Sequence, residues 1–300
     1  MLVSIVIPCF NGEDFIADCF ESLANQESQN FEVIFVNDAS QDSSLAMAKT
    51  LISQHGLKGQ ILSNDVNLGE ARSVNKGILA ASGNLCIVLS VDDLLEPQAT
   101  KLIGHAYAQD SMAVGWYGDW FVRSNSGDTL VDLSRRASVE QMVKNFDCLP
   151  SVGSAFSLGM SEGRPQREPE WGPVADFDFW LDLASKGDLV YIPATLGIWR
   201  ENDASQTSRG HCTIAEKKIA LARKYSERAI GGYVGGKRMR ISALIQAQLL
   251  QWQGNCPSPR NPLKEAMRLS LALLILKLMQ PSLGYTFLIS WKKYGQRRKA

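Results

Sequence analysis

Apolar residues in the first hundred positions fall into short unbroken runs, and between the runs they recur every three or four residues. The runs are Val3-Ser4-Ile5-Val6-Ile7-Pro8, Phe31–Val36 and Leu85-Cys86-Ile87-Val88-Leu89, with a shorter one around Gln60-Ile61-Leu62. Continuous apolar runs containing β-branched residues read as strands buried on both faces, as in a parallel sheet. Phe15, Ile16, Cys19, Phe20 and Leu23 lie at helical spacing, after a turn at Asn11-Gly12. A second helix, capped by Asp42 or Ser43, is expected to run to about Gln54 and stop at Gly56. A third opens at Asn67-Leu68-Gly69 and is ended by Gly83, and a further helical segment is expected over Leu94–Ala108. Alternation of this kind predicts an α/β fold with a mainly parallel sheet covered by helices.

The pattern is less regular over residues 105–175, where Ala113–Tyr117 and Val152–Leu158 read as strands, with loops around Arg164, Pro165 and Arg167. Phe177, Trp180, Leu181 and Ala184 then form an i, i+3, i+4, i+7 face, so a helix closed by Gly187 is expected. After about Gly210 the chain changes character. Thr213–Ile230 and Lys237–Gln253 look helical and basic, separated by Gly231-Gly232 and Gly235-Gly236. Leu269–Met279 is strongly apolar but is cut by Lys277 and Pro281, short of the roughly twenty apolar residues that span a bilayer. An interfacial helix, or a hairpin packed on the rest of the protein, fits it better.

Two strands end in acid-bearing turns, at Asp38 and at Asp92-Asp93. Neighbouring carboxylates at the carboxyl end of a buried strand lie where open α/β sheets bind ligands, and they repel unless a cation relieves them. Hard divalent cations take oxygen ligands, so the pair suggests a site for a metal and a diphosphate. The competing reading is a helix N-cap before the Leu94–Ala108 segment. Asp38 is a turn residue or an acceptor for a base NH or ribose hydroxyl. No GxGxxG follows the first strand and no GxxxxGK[ST] occurs, which disfavours dinucleotide and P-loop sites.

Net charge is zero across the 300 residues, but it is unevenly placed. Residues 1–210 hold 14 Lys+Arg against 28 Asp+Glu, and residues 211–300 hold 17 against 3. That asymmetry points to a tail that meets an anionic surface. The tail ends in Trp291-Lys292-Lys293-Tyr294-Gly295-Gln296-Arg297-Arg298-Lys299, a mixture suited to anionic headgroups. Nucleic acid is disfavoured, since no recognition motif is present and the larger part of the chain is acidic. The six cysteines show no CxxC spacing and read as small core thiols of a reduced, cytoplasmic chain. No signal-peptide pattern opens the chain.

Four segments in order, SIVIPCFNGEDFIADCFESLANQ, FEVIFVNDAS, NLGEARSVNKGILAASG and VLSVDD, resemble the inverting glycosyltransferase family 2, whose fold is the GT-A nucleotide-sugar-binding fold. The resemblance implies a transferase of the hexosyl type (EC 2.4), moving a sugar from a nucleoside-diphosphate donor, expected to be UDP-linked, to an acceptor hydroxyl with inversion. It implies Pro8, Phe10 and Asp38 around the base and ribose. Asn67 and Arg72 fall near the diphosphate sugar, and Asp92 and Asp93 at Mg2+ or Mn2+. Asp176 takes the place of the family's general base, with Asp178 as the runner-up; without the resemblance, Asp176 reads as a helix cap. Ser90 and Ala175 stand where the family often has acids, and Asn202 and Asp203 stand near the position of a frequent His.

The expected division is residues 1–104 as the nucleotide-sugar-binding half, 105–210 as the acceptor half of the same GT-A domain, and 211–300 as a helical, basic C-terminal extension. The expected partners are a nucleoside-diphosphate sugar, a glycan or lipid-linked acceptor and an anionic membrane surface. The expected setting is cell-surface polysaccharide or glycolipid synthesis, peripheral on the inner membrane face. Two rivals remain at this point. A nucleotidyltransferase would want basic residues in the first loop, where Pro8-Cys9-Phe10-Asn11-Gly12 offers none. An inactive sugar-nucleotide-binding or membrane scaffold protein draws support from Ser90 and Ala175.

Overall fold

The computed structural model describes residues 1–134, 138–159, 166–202 and 210–253. Asp203, Cys256, the Leu269–Ile289 segment and the basic tail lie outside them. The apolar runs form β1 (Val3–Cys9), β2 (Phe31–Asn37), β3 (Gly59–Ser63) and β4 (Leu85–Val88). These four pair in parallel in the order β3-β2-β1-β4, with α1 (Ile16–Ala24), α2 (Ser44–Gln54) and α3 (Glu70–Ala80) as the crossovers. Gly56, at φ +63°, ends α2 in the left-handed conformation its sequence position predicts.

Leu94 and Leu95 depart from the expected helix. They form a two-residue strand, β5 (Leu94–Leu95), and the helix α4 (Ala99–Gln109) begins only beyond Pro97. The sheet continues past β4 through β6 (Gly115–Ser124), β8 (Ala155–Ser157) and β9 (Leu189–Arg200), while β7 (Gly127–Val131) hangs on β6 as a hairpin. The order of the main path is β3-β2-β1-β4-β8-β6-β9-β5. β8 is antiparallel to both β4 and β6, β6 and β9 are parallel, and β5 is antiparallel to β9. One sheet therefore crosses the middle of the chain, parallel at its N-terminal end and mixed beyond β4. The Val152–Leu158 strand of the sequence reading shrinks to three residues, because Pro150–Ser154 form a turn closed by Ser154 N to Ser151 O at 3.0 Å.

One face of the sheet packs on α1 and α4 through Phe20, Leu23, Phe35, Ile103 and Trp116. The other packs on α3 and on α6 (Ala175–Ala184) through Val6, Val36, Val74, Phe156 and Phe179. A separate apolar cluster joins α5 (Val139–Asn145), α6, α7 (His211–Tyr225) and α8 (Gly236–Gln253), with Phe146, Leu181, Tyr225 and Met239 fully buried in it. The basic region thus begins as helices packed on the sheet domain. Its first segment is shorter than expected, since Ala229–Ile230 turn into a small hairpin strand, β10, paired with β11 (Tyr233–Val234). No described helix is long and apolar enough to cross a membrane. Cys9, Cys19 and Cys86 are buried free thiols, but Cys212 is disulfide-bonded, so the expectation of six reduced cysteines fails there.

α3 lies directly against the sheet at Gly77. A Cβ on that residue would stand 2.3 Å from Val6 Cγ1 and 3.2 Å from Val36 Cγ2. Both valines are fully buried in the central strands and have no room to retreat. Gly77→Ala is therefore expected to destabilise the protein by about 1–2 kcal/mol through over-packing, despite alanine's better helix propensity. Urea unfolding followed by circular dichroism measures it.

Candidate active site

β4 runs out at Val88, and the chain turns through Ser90–Asp93, closed by Asp93 N to Ser90 O at 3.0 Å. The next helix starts six residues past Asp93, so neither carboxylate is its N-cap; the capping explanation of the pair is removed. Antiparallel pairing of Leu94 with Ile198 and Leu95 with Gly197 brings the end of β9 alongside the turn. Arg200 N donates to Asp93 Oδ1 at 3.0 Å, and Asn202 Nδ2 donates to Asp92 Oδ2 at 2.8 Å. Burial raises the Asp92 carboxyl above the usual carboxylate range. It raises Asp93 well above that range, and the negative charge of Asp92 adds to the rise.

No third His, Cys, Asp or Glu joins them in a metal-ligating cluster among the described residues. The donor set nevertheless suits Mg2+ or Mn2+, which take one or two carboxylates and complete their coordination with substrate phosphates and water. Two largely desolvated carboxylates with donors on one side are short of positive charge on the other, which is what such an ion supplies.

At the end of β1, Pro8 is buried and Phe10 presents a ring that is 49% exposed. Asp38 N bonds to Cys9 O at 2.8 Å, so the two strand ends are tied. The Asp38 side chain is 3% exposed and grips the loop before α3. Oδ1 accepts from Asn64 Nδ2 and Leu68 N, both at 2.8 Å, and Oδ2 accepts from Gly69 N at 2.9 Å. Counting two lone pairs per oxygen, Oδ2 retains the open acceptor position. Asn67 is exposed and accepts from Gly69 N at 3.0 Å, and the exposed Arg72 reaches Leu68 O at 3.3 Å.

A cavity of about 210 Å³ opens beside the acid turn. Ser90 and Asp93 line it from the turn, Glu70 from α3, Trp199 from β9, and Asp176 and Trp180 from α6. Of the residues the sequence singles out, the cavity brings together Asp93 and Asp176; Pro8, Phe10, Asp38, Asn67, Arg72, Asp92 and Asp178 lie outside its lining. Asp176 sits in the first turn of α6, one residue inside the helix, exposed, with Phe177 N donating to Oδ1 at 2.7 Å. Asp178 is buried and points to α7, where Lys224 Nζ meets it at 2.6 Å. The two acids of one helical turn are thus divided, one facing the cavity and one spent on an ion pair.

Sequence reasoning missed Arg167, whose guanidinium lines the cavity and bonds Glu70 at 2.7 Å. Asn75 fixes its backbone from both sides, accepting from Arg167 N and donating to Arg167 O, each at 2.7 Å. The contacts of Arg200 depend on the β5–β9 register, which no local pattern reveals.

The parallel β3-β2-β1-β4 half-sheet, the acid turn at its carboxyl edge and the mixed strands beyond are the arrangement of the GT-A fold. Residues 4–149, just under half of the chain, match the family model Glycosyl transferase family 2. An uncharacterized glycosyltransferase of Haemophilus influenzae is 31% identical over 128 residues, covering 42% of this chain and 39% of that relative, so the likeness spans well under half of its length. The crystal structure of S. aureus TarS 1–349 in complex with UDP-GlcNAc superposes with a TM-score of 0.65 at 16% identity, covering 91% of this chain and 80% of that one. The mannosyltransferase PcManGT from Pyrobaculum calidifontis, in complex with GDP-Man and Mn2+, gives 0.62 at 14% identity, covering 96% and 85%. At such identities the likeness speaks for the fold.

The division of labour between the two α6 acids has a stability signature. Asp178→Asn strips the counter-charge from Lys224, whose side chain is 28% exposed, and is expected to cost about 1–3 kcal/mol. Asp176→Asn, at an exposed position, is expected to stay within about 0.5 kcal/mol of the parent protein. Parallel urea titrations of the two variants measure the difference.

Proposed function

We propose that the protein transfers a sugar from a nucleoside-diphosphate donor, UDP-linked by preference, to an acceptor hydroxyl with inversion at the anomeric carbon. The observation that supports this reading is that Asp93 of the acid turn and Asp176 of α6 line one cavity. Phe10 offers a half-exposed ring to stack on a base, and Asp38 Oδ2 an acceptor for a base NH or ribose hydroxyl. Asn67 and Arg72, exposed at the start of α3, are assigned to the diphosphate side. Asp92 and Asp93 would hold Mg2+ or Mn2+, which when bound supplies Lewis-acid stabilisation of the departing diphosphate.

In the transfer itself the acceptor oxygen attacks the anomeric carbon on the face opposite the diphosphate. The C–O bond to the diphosphate breaks, its electrons leave on the nucleoside diphosphate, and the hydroxyl proton passes to the Asp176 carboxylate. Trp180 and Trp199, which line the same cavity as Asp176, offer it aromatic surface against which a sugar ring can pack. TarS and PcManGT were solved with UDP-GlcNAc and with GDP-Man and Mn2+ respectively, which favours a nucleotide-sugar donor and a divalent ion here as well. Synthesis of a cell-surface polysaccharide or glycolipid, at the inner face of a membrane reached through the basic tail, completes the reading.

A second reading, an inactive sugar-nucleotide-binding scaffold, is favoured by Ser90, which lines the cavity where an acid would be expected. Kinetics separate the two. Asp176→Asn is expected to keep donor binding and lose transfer by about 10²–10⁴-fold, the usual contribution of a positioned base. A transfer rate within about threefold of the parent would reduce Asp176 to a helix residue. Binding of donor by the parent protein, with no transfer or hydrolysis, would favour the scaffold.

The metal assignment has its own measurement. UDP is expected to bind more tightly with Mn2+ than with EDTA, and Asp92→Ala or Asp93→Ala to remove that gain without unfolding the protein. Isothermal titration calorimetry reads both; equal affinity in the two buffers would reject the assignment.

A further inference from the structure

Arg200 makes more polar contacts at the acid turn than any carboxylate there, and the proposed reaction gives it no part. Its side chain is 12% exposed and lies among backbone carbonyls of two distant segments. Nε donates to Asp92 O, and Nη2 reaches Val91 O at 3.4 Å and Phe15 O at 3.2 Å. Nη1 pairs with Asp18 Oδ2 at 2.7 Å, and the guanidinium stands 5.2 Å from the centroid of the Phe15 ring. From the main chain of the same residue, N donates to Asp93 Oδ1 at 3.0 Å. Arg200 therefore reaches the turn twice, from its side chain to the Val91–Asp92 backbone and from its own backbone to the Asp93 carboxylate.

We propose that Arg200 is the positioning residue of the metal–diphosphate site, holding the Asp92-Asp93 turn and the β1–α1 loop in one fixed relation. The register accounts for its location. Leu94 pairs with Ile198 in antiparallel fashion, so two residues further along each strand Arg200 falls opposite Asp92. Backbone carbonyls removed from water need a donor, and a turn whose carbonyls lose theirs rotates to find another. Rotation at Val91–Asp92 re-aims the two side chains that follow. The guanidinium meets the carbonyls and leaves Asp93 Oδ2 without a protein donor among the described residues, available to a cation.

Its charge compensates the carboxylates from the backbone side without occupying that oxygen. The other arm of the fork holds Phe15 and Asp18 at the start of α1, five and eight residues beyond Phe10. One planar group with five donors can serve all these acceptors at once; an ammonium on a flexible stem cannot. This inference rests on the metal-dependent donor site proposed above and extends it to a residue outside the cavity lining.

The test compares the parent protein with Arg200→Lys and Asp18→Asn by calorimetry with UDP and GDP, each with Mn2+ and with EDTA, using the nucleotide that binds the parent better. Circular dichroism and thermal melting check the fold. The parent is expected to show a metal-dependent gain in affinity. Arg200→Lys should lose at least tenfold of that gain while its affinity in EDTA stays within threefold of the parent's. Asp18→Asn, which removes one exposed anchor, should lose three- to tenfold in the same sense, and it decides the matter if Arg200→Lys does not fold. Folded variants that keep the parent's metal dependence, or that lose affinity equally with and without Mn2+, overturn the positioning role alone. A parent protein with no metal-dependent gain rejects the metal site itself, and this inference falls with it.

Discussion

Two carboxylates side by side in a turn with little water form the constraint around which this protein is arranged. Burial works against the charged form of both, and each charge works against the other. Such a turn persists only if the surrounding structure over-determines it. Here β4 delivers it, a 3.0 Å turn bond closes it, the β5–β9 pairing backs it, and Arg200 and Asn202 hold its polar atoms. The residual strain is electrostatic, and a divalent cation bearing a diphosphate is the kind of ligand that relieves it.

The first hundred residues were readable because their information is local. β1 to β4 are apolar runs and α1 to α3 are periodic, so their existence needs no knowledge of the rest of the chain. What failed had distant causes. Leu94 and Leu95 look like the start of a helix, but their partner strand lies a hundred residues away, and two residues carry no period. α5 was not foreseen at all. Its seven residues are too short for a clear amphipathic pattern, and it is held by Ser138 accepting from Gln141 N and by Phe146 in the left-handed conformation at its end. The acids of the site were visible as sequence, but their roles were not. Asp178 stood as the runner-up to Asp176, and only α7 with its Lys224 shows it engaged elsewhere; Asp38 stood as a turn residue or an acceptor, and its hold on the Asn64–Gly69 loop is visible only in the fold.

α6 illustrates why one apolar face was an incomplete description. Phe177, Leu181 and Ala184 belong to the cluster shared with α5, α7 and α8, while Phe179, Trp180 and Leu183 belong to the cluster under the sheet. Only Asp176 and Asp182 escape full burial in its ten residues. Apolar contacts on both sides set the rotation of the helix about its axis, and with it the placing of Asp176 at the cavity.

That grip has a consequence for anyone recombining proteins of this kind. The match to the family ends at residue 149, yet the acid facing the cavity is fastened by helices that begin at residue 211. A chimaera cut at the edge of the shared segment would keep β1 to β4 and the acid turn but draw α6, α7 and their Asp178–Lys224 pair together from the other parent. A seam after Tyr225 would cut the helical collar, because Met239 and Ala243 of α8 are buried in one cluster with Tyr225 and Leu181; a graft that carries the whole mechanical unit has to include α8.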